Sequence, residues 1–254
     1  MKIVRFAVQK KIKYGILKDC VIEVIAGTPF RSIKTTGETY PQDEVKLLAP
    51  CLPSKIVALG LNYRSHAEEV KIRLPQAPLI FIKPSTSVIG PEDDIVYPPS
   101  SKQVDYEGEL AVVIKKKAWR VPLKDVFDYI LGYTCINDVT ARDLQYLDKQ
   151  WTRSKGFDTF GPMGPWIETE LYPGKVGLET YLNGELKQKT DTSYLLFSVP
   201  QLVSFSSEVM TLLPGDVIAT GTTSGIGPMQ PGDTVEVKIE GIGTLRNHIA
   251  KQKL

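Results

Sequence analysis

Only two of the 254 residues are histidine, three are cysteine and four are methionine. Cys20, Cys51 and Cys135 are far apart and odd in number. They match neither a zinc spacing nor a disulfide framework, so a reducing cytoplasm is the expected setting. No stretch approaches the roughly 18 apolar residues that a membrane span needs, and no membrane partner is expected. The net charge is only +2. The one basic run, Lys115-Lys116-Lys117, is short and reads as a solvated turn, so nothing argues for nucleic acid. Lys2 and Arg5 interrupt the first apolar run, which is not the pattern of a signal peptide. There is no fixed-period repeat and no low-complexity tract.

Short strands and turns fill this frame. Lys2 to Val8, Lys13 to Leu17 and Val21 to Ile25 alternate as strands, while Thr28-Pro29-Phe30 and Thr35 to Asp43 read as loops. Residues 1–50 read as a small β-rich cap, and residues 51–254 as a second, larger unit. Lys55 to Gly60, Leu79 to Lys83 and Leu131 to Ile136 are further strands. Ser65 to Val70 and Asp143 to Lys149 are short helices. Asn183-Gly184 is a strong hairpin turn. Ser198 to Leu212 is the one long helix, capped by Ser198 with Pro200 in its first turn. Pro214-Gly215-Asp216 and Pro231-Gly232-Asp233 each lead into a strand. Many strands and few helices predict an α+β, mainly β domain, not a doubly wound α/β sheet.

The chemistry concentrates in carboxylates. Glu107 and Glu109 lie in Val104 to Ile114, which reads as one strand that ends fully apolar. Their side chains share a face, with α-carbons roughly 6.6 Å apart. Two such anions repel unless a cation or proton lies between them. Asp138 supplies a third carboxylate. An all-oxygen set favours Mg²⁺, Mn²⁺ or Ca²⁺ over zinc.

In Asn62-Tyr63-Arg64-Ser65-His66-Ala67-Glu68-Glu69, a helix puts His66 and Glu69 on one face. A carboxylate beside an imidazole fixes its tautomer and raises its basicity, as a general base requires. Leu61 to Val70 precedes the polar, proline-containing stretch Lys71 to Pro78, a composition suited to a mobile lid. His248 has no comparable neighbours and reads as structural. Arg142 offers two readings, a bidentate clamp on a distal substrate carboxylate or an anchor for its own helix. The loop Gly221 to Gly227 lacks a Gly-Lys-Ser/Thr ending, so it is not a P-loop. Its backbone N–H groups suit a carboxylate.

Six segments, in order, resemble the fumarylacetoacetate hydrolase family: Asn62-Tyr63-x-x-His66-x-x-Glu69; Phe81-Ile82-Lys83-Pro84; Asp105-Tyr106-Glu107-Gly108-Glu109-Leu110; Asn137 to Gln145; Ser154 to Pro162; and Thr220 to Gly227. The resemblance implies a β-sandwich roll with a metal site at one open end, and a homodimer. It places the metal carboxylates on Glu107, Glu109 and Asp138, the catalytic dyad on His66 and Glu69, and the family's lysine on Lys155. Tyr63, Gln145 and Thr222 fall on substrate-contacting positions. The cap looks like that of bacterial hydroxyheptadienedioate isomerases. The hydrolase that names the family brings a fourth carboxylate from the segment before the histidine. Here no Asp or Glu lies between Lys55 and His66, which leaves three protein ligands and argues against fumarylacetoacetate as the substrate.

These residues predict an Mg²⁺- or Mn²⁺-dependent enzyme for a small 2-oxo acid or its enol. Chelation makes the carbonyl an electron sink, so a bond at the adjacent carbon breaks to leave an enolate. Lys155 would stabilise that charge. C–C hydrolysis, decarboxylation and isomerisation all pass through this step. The alternatives are a sugar-acid dehydratase and a non-catalytic metal- or carboxylate-binding protein.

Overall fold

The computed structural model describes residues 1–252. Among these residues the architecture is α+β and mainly β, with three sheets, three short α-helices and one longer one. The largest sheet runs through Thr35–Pro41, Val21–Ile25, Lys11–Lys18, Lys2–Val8, Gly161–Glu168, Ile130–Asn137, Gly108–Ile114, Val217–Ala219, Lys55–Leu59 and Ile80–Pro84. The strands of residues 1–50 join it where Lys2 and Ile3 pair with Glu168 and Ile167.

Gly108–Ile114 lies inside this sheet and is buried along its whole length. Its alternating side chains feed two cores, as the two-residue period of a strand requires. Leu110, Val112 and Ile114 pack with Leu178, Val237 and Leu245 of a second, five-stranded sheet and with Val199, Leu202 and Val203 of the long helix. Ala111 and Val113 pack on the opposite face with Ile56, Met163 and Ile167. Burying one Val or Leu side chain stabilises the fold by about 1.5–3 kcal/mol, so this strand holds its neighbours in a fixed register.

Val104 to Ile114 is not one strand. Val104–Tyr106 belongs to a third sheet, pairing with Thr140–Ala141 and Gly227–Met229. The chain changes sheets at Glu107, where side chains replace the lost ladder. Glu107 N donates to Asn137 Oδ1 at 2.9 Å and Gly108 N to Gln188 Oε1 at 3.0 Å. A Cβ at residue 108 would lie 2.1 Å from Thr180 Oγ1, so only glycine fits the crossing.

Two other expectations are corrected. Thr35–Pro41 is an edge strand, not a loop. Its β-branched threonines favour extension, and Gly37, at φ +81°, absorbs the register shift opposite Glu23 to Ile25. The long helix is Val199–Val209 and stops short of Leu212, whose N–H and C=O instead pair with Ala118. Gln201 Oε1 accepts from Ser198 N at 2.8 Å, closing the helix start.

The helices that bear on function are α1 (Arg64–Glu69), α2 (Arg142–Asp148) and α3 (Thr152–Lys155). α2 follows the strand Thr140–Ala141 directly, and α3 packs against α2, that strand and Ile80–Pro84, which brings their side chains to one site.

Candidate active site

Glu107 sits at the break between sheets and Glu109 two residues further along. The register places Glu109 opposite Ile136 and Gly108 opposite Asn137. Asp138 therefore emerges beside Glu107, and its N–H donates to Glu107 O at 2.8 Å. One oxygen from each of Glu107, Glu109 and Asp138 lies within 4.8 Å of the others, and all three residues are buried. The Glu-x-Glu pair is thus not the solvated face of an edge strand.

Three cations surround the triad. Lys155, at the end of α3, donates to Glu107 Oε2 at 2.8 Å and Asp138 Oδ2 at 2.6 Å. Lys83, wholly buried, donates to Asp138 Oδ1 at 2.5 Å and to Val139 O at 3.1 Å. Arg142 opens α2 and spends every guanidinium nitrogen inside the protein. Nε reaches Asp105 Oδ2 at 2.8 Å, Nη1 reaches Gln145 Oε1 at 2.5 Å, and Nη2 reaches Glu107 Oε1. These bonds anchor α2 and orient Glu107 and Gln145, and Arg142 also lines the cleft it shares with His66.

Charge and burial decide the protonation states. Burial pushes the Glu107 carboxyl up, but the Lys155 ammonium and Arg142 guanidinium outweigh it and hold the group below the usual carboxylate range. Glu109 moves the other way. Burial raises it, and the Asp138 and Glu107 anions add to that. The two lysines also diverge. Burial lowers Lys83, whose close carboxylate partner is Asp138 alone. Burial would lower Lys155 as well, yet Asp138 and Glu107 together raise it.

Asp105, Glu107, Glu109 and Asp138 therefore face Lys83, Arg142 and Lys155, one positive charge short of balance. The deficit falls on Glu109. Its Oε2 accepts from Gly221 N at 2.7 Å, while its Oε1 is buried without a hydrogen-bond partner. An unpaired buried carboxylate costs several kcal/mol. The all-oxygen donor set, the spacing and the orphaned oxygen fit a hard divalent cation. Carboxylate oxygens that already bond Lys155 or Lys83 keep a second lone pair for it.

Helix α1 covers the site. His66 is buried, its Nδ1 lies 3.2 Å from Glu69 Oε2, and it lines one cleft with Glu107, Arg142, Gln145 and Lys155. The predicted lid is docked. Glu69 Oε1 accepts from Gly225 N at 2.9 Å, and Ser65 Oγ lies 3.0 Å from Thr223 Oγ1. Burial raises the Glu69 carboxyl, but the bonds from His66 and Gly225 bring it below its ordinary value. The glycine loop does bind carboxylates, but they are the protein's own Glu109 and Glu69.

Two residues expected at the substrate pack beside the triad. Tyr63 is buried, and burial followed by the nearby Glu109 charge raises its phenol. Thr222 Oγ1 donates to Gly108 O at 3.0 Å and accepts from Gln188 Nε2 at 2.8 Å, which ties the loop to the strand. His248 is half-exposed, 3.3 Å from Glu92 and 3.1 Å from Thr234 Oγ1, on the five-stranded sheet. The sequence reading gave no role to Lys83, Asp105 or Trp151, all of which the structure places at or beside the site. Lys83 had a signal: a lone lysine inside an apolar strand is buried only if it is paired.

Comparison with known proteins agrees with this geometry. The family model described as fumarylacetoacetate (FAA) hydrolase C-terminal matches residues 55–250, and one described as Rv2993c-like, N-terminal matches residues 1–50. The chain is 43% identical over 226 residues to oxaloacetate tautomerase YisK of Bacillus subtilis, covering 83% of this chain and 75% of that protein. It superposes on the crystal structure of 5-carboxymethyl-2-hydroxymuconate delta-isomerase from Mycobacterium smegmatis with a TM-score of 0.94 and 45% identity, over 99% of this chain and 100% of that one. Maleylpyruvate hydrolase from Sphingobium sp., solved with manganese(II) ion and pyruvate, gives a TM-score of 0.83 at 29% identity, over 100% of each chain. A non-catalytic staple of strands is set aside by these relatives. The chain belongs to the fumarylacetoacetate hydrolase family and is an enzyme of the class that isomerises or hydrolyses small oxo acids.

Proposed function

We propose that this enzyme moves a proton between carbon and oxygen in a small 2-oxo acid such as oxaloacetate, interconverting keto and enol forms with the help of a divalent metal. One observation carries the reading: an imidazole–carboxylate pair, His66 and Glu69, closes over the cleft whose floor holds Glu107 and Lys155. A base and a fixed cation on one small cavity are what a keto–enol shift needs.

Glu107, Glu109 and Asp138 would hold the cation. Mg²⁺ or Mn²⁺ suits three carboxylates, and manganese accompanies pyruvate in the Sphingobium relative. When bound, the metal supplies Lewis acidity toward a 2-oxo acid. The protein's own groups do the rest. Glu69 holds the His66 tautomer, leaving Nε2 to take the proton from the carbon beside the carbonyl and return it to the enolate oxygen. Lys155 stabilises the negative charge that grows on oxygen. Arg142 fixes Gln145, whose side chain faces the cleft.

Hydrolysis is the second reading, favoured by the hydrolase relative. There His66 would deprotonate water instead of carbon. Solvent-deuterium exchange at C3 of oxaloacetate, run beside cleavage of acetylpyruvate, separates the two. The proposal expects exchange that depends on Mg²⁺ and is lost in His66→Ala. Rapid cleavage with no exchange above background would overturn it in favour of hydrolysis. A cytoplasmic homodimer belongs to the same reading, and light scattering on the purified protein tests the dimer.

A further inference from the structure

The cleft lining is of two kinds. His66, Glu107, Arg142, Gln145 and Lys155 are polar, while Leu61, Val70, Ile72, Leu79 and Trp151 are apolar. The lysine and arginine are already bonded to protein carboxylates. The apolar set is what remains to meet the part of an oxo acid beyond its polar head.

A second, larger and more open hollow adjoins the cleft. It measures about 880 Å³ against about 130 Å³ for the cleft, and includes Phe81, Ile82, Val209 and Met210 in its lining. Two residues, Trp151 and Leu79, line both spaces. They are the partition between them.

The partition is held firmly. Trp151 immediately precedes α3, and its carbonyl accepts from Lys155 N at 2.9 Å and from Ser154 Oγ at 3.0 Å. The wall and the site lysine thus share one helical turn. The indole meets the Phe81 ring edge-on, with centroids 5.2 Å apart at 86°. Its six-membered ring also packs against Gly60, where a Cβ would approach the indole to 2.4 Å and the Leu79 side chain to 3.3 Å.

We propose that Trp151 and Leu79 set the length of substrate this enzyme accepts. The wall admits 2-oxo acids with a short substituent and shuts out those whose apolar tail would extend into the larger hollow. This inference rests on the oxo-acid reading of the cleft, and it assigns a specificity role to two residues that take no part in the proton transfer.

N-alkyl oxamates provide an unreactive test, since they keep an oxo-acid head and vary only the tail. Binding of N-methyl and N-hexyl oxamate to the Mg²⁺-loaded protein is measured by calorimetry for wild type, Trp151→Ala and Leu79→Ala. Leu79 is 44% exposed, so its truncation leaves the fold intact even if Trp151→Ala weakens packing on Phe81. Each newly buried methylene is worth a factor of about four. The wild type should prefer the methyl compound, and each variant should shift the hexyl-to-methyl ratio upward by at least about tenfold. If N-methyl oxamate binds and the ratio stays unchanged in both variants, the wall is refuted while the oxo-acid reading stands. If the wild type binds no oxamate at any length, the oxo-acid reading fails and the wall with it.

Discussion

Replacing Glu109 by glutamine should reverse its effect on stability according to whether metal is present. Glu109 is fully buried, touches no cation, and leaves one oxygen unpartnered. Glutamine keeps an oxygen for the Gly221 N–H and turns an NH₂ toward Asp138 and Glu107, so it removes a buried charge without opening a cavity. A buried polar group left unsatisfied costs about 1–3 kcal/mol, and more when charged. At this chain length each kcal/mol moves the melting temperature by roughly 2–4 °C. In EDTA the variant should therefore melt several degrees above wild type. With Mg²⁺ at one hundred times its dissociation constant, a bound ion adds about 2.7 kcal/mol, and wild type should gain roughly 5–10 °C. The variant has lost one of three anionic ligands and should gain less than half of that. The two melting curves should cross between the two buffers. The metal-free gap should also widen as pH rises. Glu109 has a raised folded pKa, so the native state binds more protons than the unfolded state above the ordinary carboxylate range, and wild-type stability falls with pH there. Calorimetry in both buffers gives the answer. A variant that binds Mg²⁺ as tightly as wild type, or that melts below it in EDTA, would refute the assignment of Glu109 as a ligand.

Other residues of the site make separable predictions. Lys155→Met should keep metal affinity, because Glu107 and Asp138 lose a competitor for their oxygens, yet lower kcat by about 10²–10³; a rise in KM with kcat unchanged would show a ground-state role instead. His66→Ala should reduce exchange at C3 by about 10²–10⁴, and Glu69→Gln should cost less, since the imidazole remains. Lys83→Met strands Asp138 Oδ1 in the core and should destabilise the fold by about 3–5 kcal/mol, read by urea unfolding. If that variant is as stable as wild type, the Lys83–Asp138 pair contributes nothing net.

Most of the site was legible because its residues are close in sequence or carry their own pattern. Glu107 and Glu109 stand out as charges inside an apolar run, and His66 and Glu69 as a helical pair. Asn183-Gly184 announces its turn, with φ values of +53° and +79°. Less legible was whatever depends on a partner far along the chain. Val104 to Ile114 reads as one strand, since nothing local reveals that its first three residues pair with Gly227–Met229 and its last seven with Ile130–Asn137. Nothing local reveals either that the Thr222 hydroxyl bonds Gly108 and Gln188.

The sequence by itself determined the composition of the core, the mainly-β class, the acidic triad and the histidine–glutamate pair, because side-chain period and residue chemistry are local properties. Only the tertiary structure decided how charge is shared. Lys83 and Asp138 are 55 residues apart, yet they meet wholly buried. Arg142 became an anchor because three acceptors converge on it, and Glu109 was left one partner short because no second donor reaches it. Trp151 became a wall because Gly60, 91 positions earlier, leaves room for an indole. Coulomb energy and excluded volume act through space, and the strand register sets those distances.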